Sequence, residues 1–554
     1  MLVRIPPGAD RSQRPASVSW WSSLGPSVVG RSFPARVAWR PTRLDGVAGP
    51  VPTSPGVAIS GVCLSWLTEG SRPEGGRVVP INIGVRRGRA AMVLVALATL
   101  MLCLAVGSAG ASATAGSGGA SRASVRSSIR VAPAASALAT ATTRRVSLRS
   151  DGGQGKLDSF DPSMSATGRF VVFVSQGRLV PQDTIVRSPD VYLRDVQSNT
   201  ISLVTKAPDG SPANRASFEP TISADGSVVA FASFASNLVR NDPNGDAEDV
   251  FVYDVATGTT RMVSRVPDPE NLKPFSEHPS LSADGRYVGF ASVTPTLVSG
   301  DTNDVEDVFV RDRVLGVTER VSVNTRGTQA NGASEGAPSI SADGRFVTFE
   351  SLASNLVSGD TNGSVDVFVR DRSLGVTRLV SRGLGGVVGD GPSQAPAISA
   401  NGQYVSFSSS AANLVTGDAN HHEDVFVRDL VNGVTDLVSV GAGEVQGDSL
   451  SFDSALSGSG RYVVFRSLAT NLVSGDTNAV ADVFVRDRVA GATLRVSVGV
   501  GDVQANGSSG FLGLAISANG QHVAFDSFAS NLVTGDTNER DDVFVRQHFA
   551  GGGA

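Results

Sequence analysis

Residues 297–312 read LVSGDTNDVEDVFVRD, and the recurrence of this stretch decides the fold. Close copies lie at 356–371, 414–429, 472–487 and 532–546, and looser copies lie at 238–254 and 179–195. Self-similarity at a fixed period is the mark of a repeat architecture. The chain therefore contains seven copies of one structural unit.

Each copy follows a second constant element, S-A-D-G-R-Y-V-x-F, which begins at Ser165 and returns every 58 to 60 residues. The unit that contains residues 338–381 illustrates the local structure. Residues 338–341 are a short apolar run that ends at the hairpin signal Asp343-Gly344. Residues 345–351, 366–370 and 376–381 are rich in β-branched or aromatic side chains. Each unit is therefore predicted to form four short antiparallel strands.

The two ends of the repeat region complement each other. The last copy stops after its third strand, and the missing fourth-strand sequence stands at residues 143–148 (TRRVSL). We predict an all-β fold, a seven-bladed β-propeller of four-stranded antiparallel blades that is closed by an N-terminal strand completing the last blade. An open β-solenoid is the alternative.

The residues outside the repeats differ in composition. We interpret 1–85 as a disordered extension or a mis-assigned start, 86–113 as a signal peptide or membrane anchor, and 114–141 as an Ala/Ser/Gly linker. The propeller is assigned to 142–547 and a Gly-rich tail to 548–554.

Charge is divided unevenly along the chain. Residues 1–141 hold 15 arginines, no lysine and four acidic residues, which gives them a net charge of +11. The whole chain has a net charge of −5, so the remaining residues carry −16. A strongly acidic domain excludes nucleic acid as a partner. Both cysteines, Cys63 and Cys103, precede the repeats, so no disulfide is expected within the propeller.

The loops between second and third strands repeat Asp and Asn at alternate positions and end in a further Asp. Such oxygen ligands suit Ca²⁺, whereas the alternative is that they cap a tight turn by bonding to its backbone. The candidate metal ligands are Asp242, Asn244, Asp246, Asp249, Asp301, Asn303, Asp307, Asp360, Asn362, Asp366, Asp418, Asn420, Asp424, Asp476, Asn478, Asp482, Asp536, Asn538 and Asp542. We expect that the protein requires no cofactor. If these loops bind a metal ion, the expected ion is Ca²⁺.

Two further patterns bear on chemistry. The Arg of D-V-F-V-R-D, as at Arg370, predicts an Arg–Asp pair between blades. The innermost strands are interpreted as P-S-I-S or P-A-I-S, which are small and apolar. A hydrolase or lyase in the central channel would need His, Glu or Tyr there, so no catalytic residue is assigned.

The unit I-S-A-D-G-R-x-V-x-F … D-V-F-V-R-D resembles the WD40-like repeats of the TolB-type propeller family, written S-P-D-G-x-x-I-A-F … D-I-Y-V-x-D. The resemblance covers about residues 143–546 and implies a propeller. TolB itself has six blades preceded by an α/β domain. Its role in envelope integrity is therefore not expected to carry over.

These observations favour an exported, non-enzymatic propeller that serves as a protein- or glycan-binding platform at the cell envelope. The alternatives are a calcium-binding structural or adhesive propeller and a hydrolase or lyase using the central channel. The expected partner is a protein or cell-wall glycan, with membrane contact only through an N-terminal anchor. We expect a monomer that is secreted, periplasmic or associated with the envelope.

Overall fold

The computed structural model describes residues 142–548, apart from Val186 and residues 266–274. Within this range the chain forms seven four-stranded antiparallel sheets, each built from strands that follow one another in sequence, except that the seventh takes its outer strand from the N-terminus. This confirms the predicted all-β propeller. The predicted segments 1–85, 86–113 and 114–141 lie outside the described residues, as do 549–554 of the predicted tail.

The strands of each blade follow in order from the propeller axis outward. Blade 1 comprises β2 (Ser159–Met164), β3 (Phe170–Ser175), β4 (Asp190–Asp195) and β5 (Thr200–Leu203). Blade 2 comprises β6 (Ser217–Ile222), β7 (Val228–Ser233), β8 (Asp249–Asp254) and β9 (Thr259–Met262). Blade 3 comprises β10 (Ser276–Leu281), β11 (Tyr287–Ser292), β12 (Asp307–Asp312) and β13 (Val317–Arg320). Blade 4 comprises β14 (Ser339–Ile340), β15 (Phe346–Ser351), β16 (Asp366–Asp371) and β17 (Val376–Leu379).

Blade 5 comprises β18 (Ser393–Ile398), β19 (Tyr404–Ser409), β20 (Asp424–Asp429) and β21 (Val434–Leu437). Blade 6 comprises β22 (Ser451–Leu456), β23 (Tyr462–Ser467), β24 (Asp482–Asp487) and β25 (Ala492–Arg495). Blade 7 comprises β26 (Ser509–Ile516), β27 (His522–Ser527), β28 (Asp542–Gln547) and β1 (Thr142–Arg145). Short 3₁₀ turns occur at Leu384–Gly386 and Val500–Asp502.

The N-terminal strand closes the ring as predicted. Strand β1 pairs antiparallel with β28, with Thr143 opposite Arg546. Arg145 is buried in this joint, and its Nη1 lies 2.9 Å from Oδ2 of Asp542 and 3.3 Å from Oδ1 of Asp536. Ser147 donates a 2.5 Å hydrogen bond to Oδ1 of Asp542. The first and last parts of the domain are therefore joined by polar as well as backbone contacts.

The repeated phenylalanines form the core of each blade. In every blade the aromatic residue of the second strand stacks on that of the third, with ring centroids 5.8 to 6.2 Å apart. The flanking valines are buried and pack against the next blade, as Val308 and Val310 of β12 pack against Phe349. Such stacked pairs stabilise a sheet by about 0.5–1.5 kcal/mol each beyond the burial of their area.

The S-A-D-G turns join the blades around the axis. The backbone N–H of Ala166 donates to the carbonyl of Ala224, Ala224 donates to Ala283, and the same contact recurs at Ala283, Ala342, Gly458 and Ala518. The glycine of each turn is needed for its positive φ and for contact with the neighbouring blade. A Cβ on Gly344 would lie 2.2 Å from the ring of Tyr287.

In blade 4, the Arg and Asp of the D-V-F-V-R-D element contact different partners and do not form the predicted pair with each other's counterparts across blades. Asp371 of the D-V-F-V-R-D element accepts from Arg345 of its own blade, at 2.7 Å. Arg370 instead donates to the carbonyl of Asn324, in the link that precedes blade 4. In blade 4 the arginine thus joins neighbouring blades through a backbone carbonyl. In blades 6 and 7 the equivalent Arg486 and Arg546 pair with a carboxylate of the preceding link, Glu444 and Asp502 respectively.

Candidate functional site

The innermost strands carry ionisable residues, in contrast to the small apolar strands that were predicted. The first strand of each blade contacts the first strands of its neighbours, so these strands form the ring around the axis. Except in blade 4, they begin earlier than predicted, as in Ser276–Leu281 (SEHPSL). The prediction failed because it took only the second half of each strand, which begins with Pro in blades 1, 2, 3 and 5.

In five of these strands, those of blades 1, 2, 3, 5 and 6, a bulge places one residue in an unusual backbone conformation. The third residue has positive φ and the pairing register shifts there, for example between Glu277 and Ser280. The non-glycine residues at this position are Asp161, Glu219, His278, Ala395 and Asp453, with φ of 50° to 57°. Non-glycine residues in this region cost about 1–3 kcal/mol each, and such strain concentrates at functional sites.

The bulges of blades 2 and 3 bring Glu219 and His278 together. Oε1 of Glu219 lies 2.8 Å from Nδ1 of His278, and Oε2 accepts the backbone N–H of the same histidine at 2.7 Å. Nε2 of His278 lies 3.7 Å from Oε1 of Glu277. One carboxylate thus holds both the backbone and the ring of His278, which is how an orienting group fixes the tautomer and direction of a base.

Two further glutamates surround this pair. Glu248 and Glu306 precede the third strands of blades 2 and 3, and their carbonyls accept the N–H groups of Ser276 and Ser334 from the next blade. Burial, followed by repulsion from neighbouring carboxylates, raises the pKa of Glu248 to about 9 and that of Glu306 to about 8. Both side chains are therefore neutral carboxylic acids at pH 7.

Oε1 of Glu306 is buried and has no hydrogen-bond partner within the described range. A neutral carboxyl with a free buried oxygen is suited to donate a proton or a hydrogen bond to a bound molecule. Glu219, Glu248, Glu277, His278 and Glu306 are called the His278 cluster below. It pairs an oriented base with two protonated acids.

The raised pKa of Glu306 predicts a stability change with pH. Between pH 4.5, its ordinary pKa, and about 8, the folded chain keeps a proton that the unfolded chain loses. The free energy of unfolding should therefore fall with rising pH, by up to about 1.4 kcal/mol per pH unit for this group. In Glu306→Gln this contribution should vanish, so that urea unfolding between pH 5 and 8 gives a flatter dependence. Glu539→Gln at an exposed position is the control, and equal slopes for wild type and Glu306→Gln would contradict the assignment.

A second group of charges lies on the opposite part of the ring. Arg466 of β23 lies over the rings of Phe452 and Phe511, at 4.1 and 5.2 Å, and 3.9 Å from Oδ2 of Asp453. Burial lowers the pKa of this guanidinium. Arg466 donates to the carbonyl of Phe511 at 3.0 Å, so much of its hydrogen-bonding capacity is used within the protein.

A buried carboxyl pair lies at the joint of blades 7 and 1. Burial raises the pKa of Asp526, and the N–H groups of Phe511, Leu512 and Gly513, which it accepts, oppose that rise. Burial and the neighbouring Asp526 raise the pKa of Asp541 far above its ordinary value. Asp541 is therefore the protonated partner of Asp526.

The predicted calcium loops are built around nitrogen atoms of the protein in four blades. In blade 3, Nη1 of Arg320 lies 2.9 Å from Asp301 and 3.1 Å from Asp307. In blade 5, Nε2 of Gln446 donates to Asp418 and Asp424 at 2.7 and 2.9 Å.

Blade 6 repeats this arrangement. Nε2 of Gln504 donates to Asp476 and Asp482, at 2.7 and 3.0 Å. In blade 7 the nitrogen is that of Arg145, between Asp536 and Asp542. The asparagine of each of these four loops donates to the second carboxylate at 2.8 to 3.0 Å, as Asn303, Asn420, Asn478 and Asn538 do. The two carboxylates of a loop thus converge on one position.

The loops of blades 1 and 2 satisfy the first carboxylate locally. Asp183 accepts the hydroxyl of Tyr192 in blade 1. Asp242 accepts the N–H groups of Asn244 and Gly245 in blade 2, as in a capped turn. Asp246 is exposed and pairs with Arg215 at 2.7 Å. Burial raises the pKa of Asp249 to about 7.

Across the part of the chain that the structure describes, no group of three or more His, Cys, Asp or Glu side chains is arranged to hold a metal ion.

No known family model matches the chain, and no curated protein matches it by sequence. Solved structures do match the fold. An oligogalacturonate lyase from Vibrio parahaemolyticus is 12% identical, with a TM-score of 0.44, over 71% of this chain and 90% of that one. TolB from Acinetobacter baumannii is 15% identical, with a TM-score of 0.33, over 69% and 81%. An acylaminoacyl peptidase from Pyrococcus horikoshii is 9% identical, with a TM-score of 0.41, over 71% and 52%.

The TolB-type propeller is thereby confirmed at the level of the fold. The prediction of a non-enzymatic binding platform is wrong, because a lyase and peptidases are among the solved structures that share this fold. The prediction of small apolar inner strands is wrong as well, because those strands carry Glu219, Glu277 and His278. At these identities the likeness shows the fold alone, so only the site itself can indicate the chemistry.

No helix among the described residues is long and apolar enough to cross a membrane.

Proposed function

We propose that the chain is an enzyme whose acid–base chemistry takes place at the His278 cluster. The observation that carries the proposal is the double contact of Glu219 with His278, through the ring nitrogen and the backbone N–H. A base within reach of an orienting carboxylate, next to neutral carboxyl groups, is the arrangement that general acid–base catalysis needs.

Each residue receives a role from its surroundings. His278 is the base, and its Nε2 removes a proton from the attacking water. Glu219 is a positioning residue that directs the imidazole. Glu306 is the acid, because it is neutral at pH 7 and its Oε1 has no partner within the described range. It gives its proton to the oxygen of the leaving group.

The charge of the cluster selects the substrate. Its five side chains are four carboxyl groups, of which Glu248 and Glu306 are neutral, and one imidazole. It therefore holds no lysine or arginine to bind an anion such as a polyuronate, and it accepts hydrogen bonds from hydroxyl and amino groups. We therefore propose hydrolysis of a neutral or amino-sugar glycan. The oxygen of water bonds to the anomeric carbon as the glycosidic C–O bond breaks, and Glu306 protonates the departing oxygen.

The location of this activity is a separate proposal. Residues 86–113 combine arginines, an apolar run and small residues, as an export signal does. An exported chain would meet cell-wall glycan, which fits the substrate class. That the chain is a monomer stays a prediction.

The test is a screen of the purified full-length chain against neutral and amino-sugar oligosaccharides, with new reducing ends as the readout. We expect release by the wild type and by His422→Gln, a control in an exposed loop, and little release by His278→Gln. Hydrolysis that survives His278→Gln would place the chemistry elsewhere. The absence of release from every glycan would overturn the proposed substrate class.

A further inference from the structure

The Asp/Asn loop of blade 4 has the same framework as its counterparts. Nδ2 of Asn362 donates to Oδ2 of Asp366 at 2.8 Å and to the carbonyl of Gly389 at 2.9 Å. In blade 5, Asn420 makes the corresponding bonds at 2.8 and 3.0 Å. The second carboxylate of blade 4 is therefore held as in the other loops.

Blade 4 lacks both residues that supply a nitrogen elsewhere. Leu379 stands at the outer-strand position of Arg320, since each lies opposite the phenylalanine of the third strand. Val388 stands at the link position of Gln446, as their matching bridges to Arg382 and Val440 show. No side chain at these two positions of blade 4 thus replaces the nitrogen that the other four loops place between their carboxylates.

The first carboxylate of this loop is left without a donor. Asp360 is only 8% exposed, and within the described range it makes no hydrogen bond or ion pair. Its electrostatic neighbour is the negative Asp366, which is fully buried. In blades 1, 2, 3, 5, 6 and 7 the corresponding carboxylate has a hydrogen-bond or ion-pair partner. A buried carboxylate without a partner is costly, and its carboxylate neighbour adds repulsion.

We propose that the blade 4 loop binds a divalent cation, Ca²⁺ in the first instance, between Asp360 and Asp366. The ion takes the position that an arginine or glutamine nitrogen occupies in blades 3, 5, 6 and 7. Carboxylate oxygens completed by water suit Ca²⁺, which tolerates irregular coordination. The predicted calcium loops thus reduce to one site, and the other loops use groups of the protein. This proposal is independent of the enzymatic activity.

The experiment measures the melting temperature of the full-length chain in excess Ca²⁺ and in EDTA. At a hundred times its Kd, an ion that binds only the folded state should raise the wild-type Tm by about 3 °C for a domain of this size. Leu379→Arg should abolish this response, because it supplies the guanidinium that Arg320 supplies in blade 3. Leu437→Arg in blade 5 is the matched control and should keep the response, since Gln446 already fills that loop.

A second variant provides the same test if Leu379→Arg does not fold. Val388→Gln restores the amide found in blades 5 and 6 and should likewise remove the response to Ca²⁺. A wild-type Tm that does not respond to Ca²⁺ would overturn the proposal. A response that persists in both Leu379→Arg and Val388→Gln would also overturn it, because the ion would then bind another loop, such as that of blade 2.

Discussion

A chain that lacks residues 142–148 should melt at least about 6 °C below the wild type and should aggregate on heating. The deletion removes strand β1 and with it Arg145, which leaves Asp536 and Asp542 buried without their cation. An orphaned buried charge costs about 3–5 kcal/mol, and the loss of buried Val146 adds about 1.5–3 kcal/mol. Strand β28 would also become an exposed edge that pairs with other chains.

Calorimetry and light scattering of the deleted chain measure both effects. A synthetic peptide of residues 142–149 should restore the Tm in trans, because it can pair with β28 as an added strand. The same peptide with Arg145→Ala should restore much less, since it lacks the guanidinium. If the deleted chain melts with the wild-type Tm, neither the closing strand nor its buried ion pairs stabilise the ring.

Replacement of His278 by glutamine should lower kcat/KM for glycan hydrolysis by about 10²- to 10⁴-fold, the usual contribution of a general base. Glutamine keeps a polar side chain of similar reach but cannot take up a proton. Glu219→Gln should have a smaller effect on the rate and should change its pH dependence, because the amide no longer stabilises a protonated His278. Kinetics of the wild type and the two variants between pH 5 and 9 separate the base from the positioning residue.

The alkaline side of the same profile tests the acid. Because burial and neighbouring carboxylates raise the pKa of Glu306 to about 8, wild-type activity should decline above that pH as its proton is lost. Glu306→Gln should be slow at every pH and should lack this decline. A decline that persists in Glu306→Gln would assign the acid to another group, with Glu248 as the next to test.

The fold was predictable because each blade repeats the same local signals. The Asp-Gly turns, the alternating valines around a central phenylalanine, and the fourth strand at residues 143–148 all indicate one arrangement. The pairing of β1 with β28 needs only the observation that one end lacks what the other end holds. Repetition therefore supplied the long-range contact that a single sequence rarely reveals.

The site was missed because it lies where the repeats differ. Asp161, Glu219, His278 and Asp453 occupy one equivalent position, three of them directly before a proline, in strands whose other residues vary little. That variation was the available signal. The bulge that brings Glu219 to His278 is a backbone feature without a sequence signature of its own, and the two residues are 59 positions apart.

The side chains that donate to the Asp/Asn loops could not be predicted from the loop sequences for a similar reason. Arg320 follows Asp307 by 13 residues and Gln446 follows Asp418 by 28, and both reach the loop only after the blade has folded. The spacing within the loop is the same whether an ion or a side chain lies between the carboxylates. Only the position of the distant nitrogen distinguishes the blades.

The joint between the first and last strands also sets the order of events during synthesis. Thr143 and its partner Arg546 are 403 residues apart, a stretch that takes about 20 to 80 s to make at about 5–20 residues per second. For that time the first strand made has no partner within the propeller. A chain that ends anywhere before Asp542 keeps two open edges permanently, so premature termination late in the message is as damaging to this domain as termination early in it.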